Sequence, residues 1–306
     1  MTEILFENAR WQAATPQLSI LIPFKGDDPV RLLAALSAQT SKAEIVLLDD
    51  GSNDPGLSTR VQAQIADHPL PARLVQLQTN VGRAKGRNML TRHARADNFL
   101  FLDSDMLPDS EGFVQAWLDL VTHQNPPVAF GGFSLAQVHP RPDQALHQTM
   151  AGQSDCLSAE ERQTAPEKNL FTSNLLVRRD VFAAEAFDEA FTGWGWEDVE
   201  WGMRVARRWQ ILHVDNPATH LGLDTAATIA AKYEQSAANF ARVVTAHRQV
   251  VCAYPSYRVA RILKWTPWRS LWRPLLKAYA LIEGAPLQSR ALAMRLYRAA
   301  LYAEAV

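Results

Sequence analysis

The chain has 306 residues, 47% of them hydrophobic, and a net charge of −1 at neutral pH, enough apolar matter for one large core or a core with an appendage. Its two cysteines, Cys156 and Cys252, have no metal-type spacing and give no disulfide framework, which fits a reducing cytosol. The start, MTEILFENARWQ, has no basic stretch ahead of an apolar run, and no segment reaches the ~18 apolar residues that cross a bilayer, so neither export nor spanning is expected.

Taken in chain order, the elements indicate an α/β chain. LSILIPF (18–24) is a short apolar run suited to a parallel-sheet strand. A helix over 31–39 follows, with Leu32, Leu33 and Leu36 on one face. EIVLLDD (44–50) is a second strand ending in two aspartates and a Gly–Ser–Asn–Asp–Pro–Gly loop. ARLVQLQ (72–78) is a third strand, residues 81–96 a basic helix, NFLFLDSD (98–105) a fourth strand and 109–123 a further helix. VAFGGFSL (128–135) reads as a strand. This alternation predicts a doubly wound, Rossmann-like and mostly parallel sheet flanked by helices, with ligand at the strands' C-terminal ends. Residues 139–168 are polar, with three prolines, and read either as a functional lid or as a disordered stretch. NLLVRR (174–179) and ILHVDN (211–216) are strands. A helix over 197–209 carries Trp201, Val205 and Trp209 at four-residue spacing, and 225–249 is one long helix.

The tail differs. Residues 241–306 carry a charge of +9 and the remainder −10. KWTPWRSLWRPLLKAYALIEG (264–284) interleaves Trp265, Trp268 and Trp272 with Lys264, Arg269, Arg273 and Lys277. Three readings fit: a helix lying on an anionic membrane surface, a helical hairpin packed on the body, or a contact between copies of the chain. No nucleic-acid partner is expected. The expected division is a body over 1–223, in two halves at 18–105 and 106–223, then a helical extension over 224–306.

Several residues carry chemistry. Asp103 and Asp105 end a buried strand, and two carboxylates there repel unless a cation sits between them. Mg²⁺ or Mn²⁺ with a diphosphate suits such oxygen ligands. Asp49 and Asp50 close the second strand. A carboxylate there can accept from a nucleobase imide or a ribose hydroxyl, though Asp50–Gly51–Ser52 also suits a plain turn. Gly82, Arg83, Lys85 and Arg87 open a helix whose N-terminus and cations suit phosphates. Glu197 and Asp198 start a helix after Gly193–Trp194–Gly195–Trp196. The helix dipole favours their ionised form, so Asp198 is expected to be charged near neutral pH and able to act as a general base. The competing reading is an N-capping acid beside core tryptophans. Trp194 offers a flat face for a sugar ring. His220 is either a further ligand for Mn²⁺ or a structural histidine.

The ordered segments SILIPFKGDD, EIVLLDDGSND, NVGRAKGRN, FLFLDSDM, NLLVRRDVF and FTGWGWEDVEWGMRV resemble glycosyltransferase family 2, of the GT-A fold, over about residues 18–222. GWGWED and His220 look like the enzymes that transfer galactose or N-acetylgalactosamine from UDP. The resemblance implies that Asp50, Pro23, Phe24, Gly82 and a cation of Arg83–Arg87 hold the uridine. Asp103 would contact ribose or metal, while Asp105 and His220 would ligate the metal. Asp198 would be the catalytic base, Glu197 would orient hydroxyls and Trp194 would line the acceptor site. Related enzymes often have a second glycine where this chain has Trp196, which puts the choice of sugar in doubt. The expected activity is metal-dependent, inverting transfer of a hexose or N-acetylhexosamine from a UDP-sugar to a saccharide or glycolipid. The expected setting is surface polysaccharide synthesis at the cytoplasmic side of a membrane. A nucleotidyltransferase is disfavoured because Phe24–Lys25–Gly26–Asp27–Asp28 is too acidic for a triphosphate. A non-catalytic carbohydrate-binding protein is disfavoured because every expected catalytic residue type is present.

Overall fold

The structure, a computed structural model, describes residues 3–13, 15–39, 42–139 and 141–306. Met1 and Thr2 of the start and Pro140 of the expected lid lie outside the described residues. The strands are β1 (Glu3–Glu7), β2 (Leu18–Phe24), β3 (Ala43–Asp49), β4 (Ala72–Leu77), β5 (Asn98–Leu102), β6 (Met106–Pro108), β7 (Val128–Phe130), β8 (Phe133–Ser134), β9 (Asn174–Arg178), β10 (Ile211–His213) and β11 (Ala218–His220). The helices are α1 (Val30–Ser37), α2 (Pro55–Ala66), α3 (Arg83–His93), α4 (Phe113–His123), α5 (Ala145–Ser154), α6 (Ala159–Gln163), α7 (Arg179–Ala184), α8 (Glu197–Val205), α9 (Ala226–Val251), α10 (Pro255–Lys264), α11 (Arg269–Ala280) and α12 (Leu287–Tyr302).

The main sheet runs β1-β4-β3-β2-β5-β9-β7-β10. β4, β3, β2 and β5 are parallel, whereas β9 is antiparallel to both β5 and β7. Chain order reverses between β2 and β5, and such a switch point opens a crevice at the strands' C-terminal ends. Every residue of β3 is buried, because helices cover both faces. Ile20, Ile22 and Leu47 share one core with Leu33, Val61 and Trp117 from α1, α2 and α4. Leu21, Val46 and Leu48 share another with Leu90 of α3 and Trp201 of α8. A second sheet, β6-β11-β8, lies beyond β5.

Three expectations need correction. The strand expected over 98–105 stops at Leu102, so strand alternation does not place Asp103 and Asp105; a turn does, closed by the Met106 amide donating to the Asp103 carbonyl at 3.0 Å. The strand expected over 128–135 divides into β7 and β8 at Gly131–Gly132, where an added Cβ on Gly131 would lie 2.4 Å from Asn174 Nδ2. Residues 139–168 contain α5 and α6 rather than a disordered stretch. α6 starts in a capping box between Ser158 and Glu161, and α5 buries Leu146 and Met150 against α9 and α12. The tail is a helical hairpin whose last helix, α12, shares a core with α5 and α9. A further core joins Phe240, Val243 and Tyr302 to Phe191 and Met203.

Candidate active site

The β5–β6 turn delivers two carboxylates to different partners. Asp103 Oδ1 accepts a 2.8 Å bond from Arg87 Nη2, and Arg87 Nη1 lies 3.7 Å from Glu197 Oε1. Arg87 is almost wholly buried, so it is a strut between the turn and the start of α8 rather than a group facing a ligand. Asp105 instead meets His220, with Oδ2 and Nε2 3.3 Å apart. The β6–β11 register makes this contact: His220 pairs with Met106, the residue after Asp105, and the Leu221 amide donates to the Asp105 carbonyl at 2.9 Å. Burial raises the Asp105 carboxyl, but the hydrogen bond and charge of His220 outweigh it and leave Asp105 below the usual range. Burial lowers His220, and Asp105 more than reverses this.

Among the described residues no three His, Cys, Asp or Glu side chains gather as a complete metal site. Asp105 and His220 supply one hard oxygen and one imidazole nitrogen. That donor pair fits Mn²⁺ or Mg²⁺ completed by diphosphate oxygens and water. Gly222 is part of the fit, since a Cβ there would fall 1.9 Å from Asp105 Oδ2. Asp103, expected as a ribose or metal contact, is held by Arg87.

A cavity of about 600 Å³ opens over this pair, a size suited to small ligands. Arg83, Asp103, Asp105, Trp194, Glu197, Asp198 and His220 all line it, so the structure joins the Asp105–His220 pair and the Glu197–Asp198 pair in one space. Arg83, exposed at the cavity wall, faces four carboxylates; desolvation on the cavity side lowers its pKa, but the charges of Glu197, Asp103, Asp198 and Asp105 together raise it. Pro23, Phe24, Asp50, Gly82 and Arg87 do not line the cavity. Phe24 is buried in the core. Asp50 accepts the Val81 and Gly82 amides at 2.6 and 3.0 Å, and so shapes the loop that leads to Arg83.

The Gly193–Trp196 turn rises through a left-handed path. Gly193, Gly195 and Trp196 have φ of 72°, 88° and 75°. Glycine adopts such angles freely, while tryptophan does so at a cost. This chain offsets that cost by packing Trp196 on Phe240, ring centroids 4.9 Å apart, and by donating Nε1 to the Tyr302 hydroxyl at 2.9 Å. The indole is thus anchored to α9 and α12. Trp194 faces the cavity, with Tyr233 6.2 Å away and Lys232 over its ring at 5.9 Å.

Asp198 departs from expectation. The helix N-terminus does not keep it readily ionised. Burial, followed by the neighbouring Glu197 charge, pushes it up to about 7. Desolvation here outweighs the dipole and the nearby Arg87 and Arg83. A carboxylate with a pKa near neutrality suits proton abstraction.

Sequence reasoning missed the far wall. His147 of α5 lies beside His220, ring centroids 6.1 Å apart; burial and the His220 charge lower it to about 4, and its Nδ1 accepts the Asp224 amide at 2.7 Å. Asp27, after β2, does not line the cavity, and desolvation followed by the charge of Asp105 raises its carboxyl. Tyr233, Arg295 and Arg298, from α9 and α12, complete the opposite end. Arg298 lies over the Tyr233 ring at 5.0 Å. The polar face of α12 held the only signal for the two arginines.

The Glycosyl transferase family 2 profile matches residues 19–184. A validoxylamine A glucosyltransferase of Streptomyces hygroscopicus subsp. limoneus is 30% identical over 223 residues, covering 62% of this chain. The chain spans 48% of that relative's length. Among solved structures, the mannosyltransferase PcManGT from Pyrobaculum calidifontis, in complex with GDP-Man and Mn²⁺, superposes with a TM-score of 0.59 at 14% identity, covering 95% of this chain and 88% of that one. S. aureus TarS 1-349 superposes with a TM-score of 0.52 at 17% identity, covering 92% and 91%. At those identities the superpositions speak for a shared GT-A fold. The family match spans more than half of the sequence and includes β2 through α7, with the turn that carries Asp103 and Asp105; the chain belongs to glycosyl transferase family 2.

Proposed function

We propose that the protein transfers a hexose or N-acetylhexosamine from a UDP-sugar to a hydroxyl of a saccharide or glycolipid, with inversion at the anomeric carbon. The observation that carries this reading is one cavity holding both the Asp105–His220 pair and Asp198, whose carboxyl is raised to about 7. Asp198 takes the proton of the acceptor hydroxyl as its oxygen attacks the anomeric carbon, and the bond to the diphosphate oxygen breaks with its electron pair leaving on UDP. Arg83, on the cavity wall, would offset the charge of the departing diphosphate. A divalent ion held by Asp105 and His220 would stabilise the same charge as a Lewis acid. Glu197, tied to Arg87, would orient hydroxyls, and Trp194 would stack on the acceptor ring. Pro23, Phe24, Asp50 and Gly82 would shape the uridine end from outside the cavity. The GDP-Man and Mn²⁺ of the mannosyltransferase support a nucleotide-diphosphate sugar and a divalent metal in this fold. Glycoconjugate assembly in the cytoplasm is the proposed setting. Among the described residues no helix is long and apolar enough to cross a membrane.

The test is donor hydrolysis across UDP- and GDP-sugars, with Mn²⁺, with Mg²⁺ and with EDTA. Metal-dependent release of UDP from one donor is expected. Turnover of a GDP-sugar alone would replace the donor. No turnover and no metal-dependent nucleotide binding would leave a carbohydrate-binding protein.

A further inference from the structure

The large apolar side chains exposed among the described residues are concentrated at one end of the chain. All but Ile4 and Leu5 fall between Val259 and Leu292. Trp265 and Trp268, at the turn between α10 and α11, are 80% and 74% exposed, and Ile262, Leu271 and Leu275 are each at least 60% exposed. Exposed apolar side chains gathered on two consecutive helices and their turn mark a contact surface.

Two further observations say what covers it. Arg258, Arg261, Lys264, Arg269, Arg273 and Lys277 are interleaved with these side chains, against the single acid Glu283 within residues 255–286. A second cavity, of about 330 Å³, lies at the same turn, lined by Lys264, Thr266, Trp268, Arg269, Ser270 and Arg273, with Glu304 its one carboxylate. Arg273 meets Glu304 at 2.7 Å, Lys264 donates to the Val306 carbonyl and Arg269 Nη1 donates to the Lys264 carbonyl at 3.2 Å. Three cations and two hydroxyls beside an exposed indole make a pocket for a phosphate group at an apolar–aqueous boundary.

We infer that the α10–α11 face docks on an anionic phospholipid bilayer, with Trp265 and Trp268 entering the headgroup boundary and a lipid phosphate seated among Lys264, Arg269 and Arg273. The inference deepens the proposed reading by favouring a membrane-borne acceptor. Ser256, at the first turn of α10, lines the large cavity, and Trp265 follows nine residues later. Nine helical rises span about 14 Å, so an acceptor headgroup standing off the bilayer is within reach of the cavity.

The experiment is flotation of the full chain with vesicles of phosphatidylcholine alone or with about one third phosphatidylglycerol. Binding is expected only to the anionic vesicles and is lost at high salt. Arg269→Ala/Arg273→Ala should weaken it about 30-fold and Trp265→Ala/Trp268→Ala about tenfold or more. Metal-dependent donor hydrolysis is measured in parallel without vesicles. It should be unchanged in both variants, which shows that they fold and keeps this test separate from that of the activity. Absence of wild-type binding, or equal binding by the variants, overturns the inference. Self-association that both variants lose, with no flotation, would overturn it and reassign the face to a contact between copies.

Discussion

Under the proposed reading, Asp198 ties function to stability at a single residue. Its carboxyl must be deprotonated to take a proton, and it is raised to about 7, so kcat/KM should climb with pH and reach half its plateau near that value. Asp198→Asn is expected to lower kcat by about 10²–10⁴ while donor binding persists. Because the folded pKa lies above the unfolded value of about 3.9, the folded state binds the proton more tightly. Asp198 therefore contributes stability below the unfolded pKa that is lost as pH rises through the folded one. The asparagine variant should melt higher than the parent above about pH 7 and no higher below about pH 4. A variant that is both inactive and less stable at high pH would contradict the burial argument. Gly222→Ala probes the proposed metal pair without replacing either of its side chains. Its Cβ would strike Asp105 Oδ2, so titration calorimetry should find Mn²⁺ binding weaker by about 10–100-fold in a folded protein.

Among the elements, the entry to α8 concentrates the energetic conflict. Trp196→Gly would relieve left-handed strain of about 1–2 kcal/mol but forfeit aromatic packing and the bond to Tyr302, with about 3–5 kcal/mol typical for losing a large aromatic. The loss is larger, so denaturant melts should show net destabilisation. Arg87→Ala removes the buried cation between Asp103 and Glu197 and should cost about 3–5 kcal/mol, read in the same melts. The helices also show what a sequence makes legible. Strands β2, β3 and β5 were readable because burial on two faces writes an unbroken apolar run. α2 was missed behind its Gly–Ser–Asn–Asp–Pro–Gly lead, although Asp54 caps it and Leu57, Val61 and Ile65 repeat every four residues. α5 buries only Leu146, Met150 and Ala151, too weak a period to stand out, whereas the Ser158–Glu161 box of α6 was open to reading. The proximity of Asp105 and His220 depends on pairing between β6 and β11, more than a hundred residues apart, and no local pattern encodes it. The pKa of Asp198 was misjudged for a similar reason. A helix start is visible in sequence, but the burial around it is not.

The whole molecule closes its cavity with helices from distant parts of the chain. α5 and α12 share a core with α9, and α9 also meets α8. A chain ended at residue 223 would bare Leu146, Met150, Phe191 and Met203, so it is expected to be insoluble or to unfold at lower denaturant. Solubility of that fragment with retained donor hydrolysis would show that the sheet region stands without α9–α12.

The cavity wall is divided by origin. The Asp105–His220 pair hangs from β-strand pairing, whereas Tyr233, Arg295 and Arg298 hang from helices packed side to side. Strand register is all-or-none, since a one-residue slip turns every side chain over. Helix faces accept piecemeal replacement. Under the proposed reading, descendants of this sequence could change what receives the sugar one substitution at a time along α9 and α12, while the grip on the nucleotide stayed locked by the sheet.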